Sequence, residues 1–519
     1  MALDRLGELV QGENQWSQTG AARKLAENLQ KTVVKLPTEI LSEIFLICRY
    51  SLPSSGWMQI TQICHRWRQI ALQLPRLWNQ INLSRPTAGE YHLALTKKTV
   101  LHLRTGQGLY FWPSLLDKCL QMMTRVVSIN LALHCQSSSP VPPLPACVSP
   151  LRSFCVKATT DNNFIGAFKT CKFPDIRELY LAFCLNNIPP CLFGSTLTHL
   201  TLCGFPLYPV AESLDFTSFM DTLSRLSNLE YLRLQDVVLA IKDHSLSKSP
   251  LPTISLPRLR IFALKSPSTT SSSCDLYLDL LSKVDIPPTT NVYIHFHGEI
   301  NRQDNPGKFL PILKLLGQLT KRQVCIESTS TLPHPLAIKF WPTRGDSVNT
   351  SPIRPASVIT LPWGLSDPAL MRFFDELPME DVELLDLKRF VIAADDMREW
   401  ELLFKRLTSV KDLILGTALV NSFLRGLRKK LDSDITDTVP FMPLLENVYI
   451  HAQENTQILP MQSLVDGLLA RRSCGYPLNT IYLDGQLRGG IQPEDMDKLE
   501  TVVTVVFIPE DGPNGRSIT

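Results

Sequence analysis

Residues 176–184 read IRELYLAFC, and the first six of them set a frame that returns along most of the chain. Written as L-x-x-L-x-L, it appears as VVSINL at Val126, LRSFCV at Leu151, LTHLTL at Leu197, LEYLRL at Leu229 and LRIFAL at Leu259. It continues as VELLDL at Val382, VKDLIL at Val410, LENVYI at Leu445 and LNTIYL at Leu478, with a weaker copy, NVYIHF, near Val292. Each frame closes in period-2 alternation, the pattern of a short strand with one buried face. A single such strand cannot cover that face, so the units must stack on one another. Pro174, Pro257, Pro443 and Pro477 stand just before frames, where a missing N–H falls outside the strand ladder. Ordinary strands of an α/β sheet would explain one or two copies. Ten clear ones favour a stacked array.

Where copies follow one another, their starts lie from 21 residues apart (Ile176 to Leu197) to 35 (Val410 to Leu445). The pattern resembles the leucine-rich repeat, whose unit is ~20–29 residues, with irregular insertions. Cys184 stands where that family has Asn or Cys. The resemblance implies an α/β solenoid, an irregular leucine-rich-repeat horseshoe, over residues 96–509. Ser/Pro-rich pieces at 137–145, 266–274 and 350–357 read as loops inserted into the array. The span 300–380 fits the frame poorly, and its units cannot be placed. Side chains that flank the buried leucines point the other way. That assigns Glu178, Tyr180, Tyr231, Arg233, Asp386, Lys388, Tyr449, His451, Tyr482 and Asp484 to a ligand-facing surface. Most such positions in any protein are merely solvated, but Tyr and Arg are the types that most often anchor interfaces.

Ahead of the array the pattern is different. LPTEILSEIFLICRY at 36–50 and ITQICHRWRQIALQLPRLWNQINL at 60–83 are dense in apolar residues at helical spacing. Pro37 suits a first helical turn, where its absent N–H would be unpaired anyway. Ile40, Leu41, Ile44, Phe45 and Cys48 make a broad apolar stripe. A second helix is expected to carry Ile60, Ile63, Cys64, Trp67, Ile70 and Ala71, ending at Pro75 ahead of Trp78. So small a segment makes a meagre core. Part of its stripe should therefore pack on something else: the adjoining array, or a partner.

The order Leu-Pro-x-Glu-Ile-Leu-x-Glu-Ile-Phe (36–45), Ile-Cys-x-x-Trp-Arg-x-Ile-Ala (63–71) and Pro-x-Leu-Trp (75–78) resembles an F-box, above all the version common in mushroom-forming fungi. The resemblance covers residues 34–83, about a tenth of the chain. It implies docking of Leu36, Pro37, Ile40, Leu41, Ile44, Phe45, Ile60 and Ile63 onto the Skp-type adaptor of a cullin–RING ubiquitin ligase. It also implies a domain core built on Cys64, Trp67 and Trp78. The connector RYSLPSSGW (49–57) departs from the family by lacking its usual string of acidic and leucine residues. Residues 1–33 read as a helical lead-in, with Leu25, Leu29 and Val33 at helical spacing, and 510–519 as a tail.

Composition narrows the function. The chain has 519 residues, 44% hydrophobic and 19% charged, with a formal net charge of +3. That balance gives no electrostatic reason to expect nucleic acid or an acidic membrane as partner. The 13 cysteines include no Cys-x-x-Cys pair, and many lie in apolar stretches, a usage that suits a reducing compartment. MALDRLGELVQGENQW lacks the features of a signal peptide. A cytoplasmic or nuclear protein is expected. No Gly-rich phosphate loop, G-x-S-x-G elbow or H-E-x-x-H occurs. His295 and His297 share a strand face without a third ligand, and Cys64-His65 point apart on a helix. The expectation is a non-enzyme without cofactor or metal: the client-recognition subunit of an SCF-type ligase. The alternative is a non-catalytic leucine-rich-repeat scaffold or inhibitor whose N-terminal helices only cap the array.

Overall fold

The structure, a computed structural model, describes residues 36–52, 56–105, 113–133, 144–148, 150–158, 163–183, 185, 188–204, 213–241, 253–267, 271–295, 323–328, 336–341, 357–361, 382–388, 407–428, 442–452 and 459–508. The lead-in at 1–33, the tail at 510–519, Cys184 and His297 lie outside them. The chain divides into two units, 1–156 and 157–519.

The described part of the first unit begins with α1 (Thr38–Ser51), a 3-10 turn at Gly56–Gln59, α2 (Ile60–Ile63), α3 (His65–Gln73) and α4 (Pro75–Trp78). Glu39 lies in the first turn of α1 and Arg49 in its last, each sign matched to the helix dipole. The single helix expected over 60–71 is two. Cys64 is extended (φ −157°, ψ 168°) and serves as the N-cap of α3. The break is held by Arg68, whose N–H donates to Cys64 O at 3.0 Å and whose Nε donates to Thr61 O at 2.9 Å. Ile60 of α2 and Ile70 and Ala71 of α3 are buried, whereas Ile63 is not. The core comprises Leu41, Phe45, Trp57, Ile60, Ile70, Ala71, Leu77 and Trp78, with Leu36, Ile44, Cys48 and Trp67 packed half-buried around it. Trp57 and Trp78 meet edge to face at 5.2 Å, and the Trp78 indole donates to Ala71 O at 2.7 Å.

Directly after α4 a parallel ladder begins. β1 (Gln80–Asn82), β2 (Leu101–Arg104) and β3 (Val126–Leu133) alternate with α5 (Pro86–Leu95) and α6 (Pro113–Leu120). Gln80 pairs with His102, Asn82 with Arg104, and Leu103 with Ile129. The strands QIN and LHLR are too short to show the six-residue frame, so the sequence did not reveal these first rungs. Arg125 links successive turns by donating to Thr99 O at 2.9 and 3.0 Å and to Thr96 Oγ1 at 3.0 Å.

β4 (Ser153–Ala158) spans the division between the units. The second unit then sets β5 (Glu178–Ala182), β6 (His199–Cys203), β7 (Tyr231–Gln235), β8 (Ile261–Lys265) and β9 (Asn291–His295) side by side, all parallel. Two buried columns run across them in register. One is Leu179, Leu200, Leu232, Phe262 and Val292; the other is Leu181, Leu202, Leu234, Leu264 and Ile294. No member is more than 1% exposed. The first leucine of each frame is buried as well, as at Ile176, Leu197, Leu229 and Leu259.

A backbone signature recurs from unit to unit. In several frames the second residue offers its carbonyl to two consecutive N–H groups of the next strand unit. Arg177 O accepts from Thr198 and His199, Thr198 O from Glu230 and Tyr231, and Glu230 O from Arg260 and Ile261. Glu383, Lys411 and Glu446 do the same later. Gly204, at the end of β6, is fixed by close approach, since a Cβ there would lie 1.9 Å from Asp236 O.

The span 300–380 holds a local inversion of the ladder. β10 (Gln323–Ser328), β11 (Leu336–Trp341) and β12 (Ser357–Leu361) pair antiparallel through β11, with β12 beside β9 and β10 beside the next strand. That strand is β13 (Leu384–Leu387), followed in parallel by β14 (Asp412–Gly416), β15 (Asn447–His451), β16 (Thr480–Asp484) and β17 (Thr504–Ile508). Spatial order is thus β9-β12-β11-β10-β13, and antiparallel pairing explains why no repeat frame fits there. The Ser/Pro-rich piece 266–274 is also not all loop, because Ser271–Lys283 is helical. Serines suit a helix start ahead of an apolar stripe, and the stripe is present as Tyr277, Leu278, Leu280 and Leu281. Arg471, 5% exposed, fastens the helix Met461–Ser473 by donating to Met442 O at 2.7 Å and Leu445 O at 3.2 Å.

Candidate protein-interaction surfaces

α1 has two unlike faces, because residues four apart on a helix share a side. Leu41 and Phe45 are 0% exposed and form the inward face with Cys48. Ile40 (48% exposed) and Ile47 (62%) lie on the outward face with half-buried Ile44. At its N-terminal end are exposed Pro37 and half-buried Leu36, whose carbonyl accepts from Arg66 at 2.7 Å. Ile63, at the end of α2, is 57% exposed. Exposed apolar surface of this kind gains free energy by leaving water.

This division revises the residue assignments. Leu36, Pro37, Ile40, Ile44 and Ile63 keep side-chain surface available to a partner. Leu41, Phe45 and Ile60 (6% exposed), expected at the adaptor contact, lie in the domain's own core instead. The helical stripe read from sequence was wider than one face, and its inner edge went inward. Trp78 is in the core as expected, whereas Cys64 and Trp67 are half-buried. Trp67 leans on Phe45 with ring centroids 5.1 Å apart. Two residues escaped the sequence reading. Trp57 is, among the described residues, the largest fully buried side chain, and Ile47 is 62% exposed on the outward face of α1. A lone tryptophan in a Ser/Pro/Gly connector was the available signal for Trp57.

In the second unit the ten side chains assigned to the ligand-facing surface fall into two groups. Glu178 and Arg233 are exposed, and Tyr180 and Tyr231 half-buried. His199 joins them, stacked on Tyr231 at 5.8 Å with the planes 18° apart, and Lys157 Nζ sits 5.4 Å from the Tyr180 ring. Arg233 donates within its own strand, to Gln235 Oε1 at 2.7 Å.

Asp386, Lys388, Tyr449, His451, Tyr482 and Asp484 come together across β13 to β16. Asp386 is in register with Ile414, Tyr449 and Tyr482. The two tyrosine rings stack at 4.3 Å, 6° from parallel. Asp386 Oδ2 lies 3.7 Å from Lys388 Nζ, and His451 Nδ1 lies 3.5 Å from Asp484 Oδ2. Burial, then Lys388, holds the His451 imidazole below its usual range, while Asp484 and Asp386 pull the other way. The Tyr449 hydroxyl is pushed up to about 12 by burial and then by Asp412 and Tyr482. Asp386 is itself 9% exposed, so Lys388, His451 and the tyrosines offer more surface than it does. The inserted strands β10 to β12 stand between this group and the first, four strand spacings or roughly 19 Å from β9 to β13.

Among the described residues no group of three or more His, Cys, Asp or Glu could hold a metal ion. None of the described helices is long and apolar enough to cross a membrane.

Residues 33–84 match the F-box-like family. No curated protein matches the chain. Among solved structures, the leucine-rich repeat-containing protein LegL7 from Legionella pneumophila aligns over 74% of this chain and 91% of its own, with 12% identity and a TM-score of 0.23. At that score the likeness carries no argument. The repeat reading rests on the parallel ladders, their buried columns and the recurring carbonyl.

Proposed function

We propose that the chain is the client-recognition subunit of an SCF-type cullin–RING ubiquitin ligase, non-enzymatic itself and working in the cytoplasm or nucleus. The observation that carries this reading is the outward stripe of exposed Pro37, Ile40 and Ile47 with half-buried Leu36 and Ile44, on a segment that matches the F-box-like family. The stripe docks on a Skp-type adaptor, while Leu41, Phe45, Trp57 and Trp78 keep the helices in place beneath it. The strand ladders act as an irregular leucine-rich-repeat solenoid. Their outward columns, rich in Tyr, Arg, His and Asp, present the anchoring types that recognise a protein client. Resemblance of the helices to the mushroom-type F-box suggests a fungal source.

The test is co-purification of the full chain with a Skp-type adaptor, cullin and RING subunit. Recovery of the complex, and its loss on Ile40→Asp, is expected. A chain that folds yet never recovers the adaptor would favour the alternative, a leucine-rich scaffold capped by its N-terminal helices.

A further inference from the structure

A cleft of about 290 Å³ in the first unit is lined by Arg49, Tyr50, Leu52, Asn79, Gln80, His102 and Arg104. It belongs to neither surface described above. Arg49 comes from the last turn of α1, Gln80 and His102 are paired rungs of β1 and β2, and Arg104 ends β2. Arg49 lies over the Trp57 ring at 4.9 Å and donates to Gln80 Oε1. The Nε atoms of both Arg49 and Arg104 are buried without a hydrogen-bond partner among the described residues, as is Nδ1 of nearby His92.

The charge balance here is one-sided. Among the described residues no carboxylate lines the cleft. The groups that act on Arg49, His92, His102 and Arg104 include none either, and burial followed by Arg104 depresses Arg49 to about 10. Two guanidinium groups are therefore held close together, half-buried, with donors unused. Burying cations without a counter-charge is costly, and the arrangement makes chemical sense with an anion between them. A phosphate carries about −1.5 to −2 charges and three acceptor oxygens, against the two fixed positive charges. Planar guanidinium forks match its geometry. The space is also ample, since a water molecule takes ~30 Å³ of liquid.

We infer that this cleft binds a phosphate-type oxyanion, as free phosphate or as a small phosphate monoester, between Arg49 and Arg104 with His102 and Gln80 at its edge. Binding there would tie the end of α1 to the first rungs of the ladder.

Arginine modification by phenylglyoxal on the full chain, mapped by mass spectrometry, tests it without any variant. Inorganic phosphate, phenyl phosphate and chloride are compared at matched ionic strength, with exposed Arg85 as the internal reference. Slower modification of Arg49 and Arg104, but not Arg85, by inorganic phosphate supports the free anion. Protection by phenyl phosphate alone supports a monoester. Equal rates in all three, or arginines already shielded in chloride, overturn the inference. By calorimetry, Arg104→Gln should weaken binding of the protecting anion about 10-fold, the loss of one charge-assisted bond. Undiminished binding by folded Arg104→Gln also overturns it.

Discussion

Replacing Leu234 with Ala separates a stacked repeat array from a loose collection of strands. Leu234 is 0% exposed and lies between Leu202 of β6 and Leu264 of β8 in one buried column. Leu234 and both of these neighbours are held by parallel pairing on both sides, so little can collapse into the space left behind. Truncation should cost ~3–5 kcal/mol, lost transfer energy plus a cavity term. Arg233, one residue away on the opposite side of the same strand, is the control. It is exposed and bonds Gln235 within its own strand, so Arg233→Ala should stay within ~0.5 kcal/mol. Urea unfolding gives the magnitudes, and hydrogen exchange gives their location. In Leu234→Ala, protection should fall not only in β7 but also in the adjacent β6 and β8, because each unit is stabilised by the next. An unchanged midpoint for Leu234→Ala, or a larger loss for Arg233→Ala, would refute the register.

Cys119 is 0% exposed and burial pushes its thiol up to about 12, whereas Cys147 and Cys474 are exposed. Iodoacetamide at neutral pH should label Cys147 and Cys474 quickly and Cys119 only on unfolding, as read by peptide mass, because the thiolate is the reactive form. His92 is held below its usual range by burial first, then by Arg49 and Arg104, against a bond to the Gln80 backbone. The unfolded chain therefore takes up this proton more readily, so stability is full above the ordinary imidazole value of ~6.5 and falls as pH drops through it. His92→Gln should make the loss of urea resistance between about pH 7.5 and about pH 5 smaller, and an unaltered slope would contradict that.

The repeat ladder was legible because its frame is local: three apolar positions within six residues encode which side faces inward. Val382, Leu385 and Leu387, for example, are all 0% exposed as the frame requires. β11 was not legible, since antiparallel insertion depends on pairing between distant segments rather than on any local period. The short rungs β1 and β2 were hidden for want of length. In the N-terminal helices, spacing revealed an apolar surface but could not divide it. Leu41 and Phe45 went inward while Ile40 and Ile47 stayed outward, a choice set by where α3 and Trp57 pack. The cleft at Arg49 and Arg104 could not be read at all, because residues 55 positions apart meet only through the fold.

The most direct measurement is the affinity of the full chain for a Skp-type adaptor, by interferometry, for the parent and for Ile40→Asp combined with Ile47→Asp. Both side chains are exposed, so circular dichroism and the melting temperature should hold. If the outward stripe of α1 is the docking surface, the parent binds and the double variant loses roughly 30-fold or more, two interface anchors at 1–2 kcal/mol each. A folded double variant that binds as tightly as the parent, or a parent that does not bind, would contradict the claim.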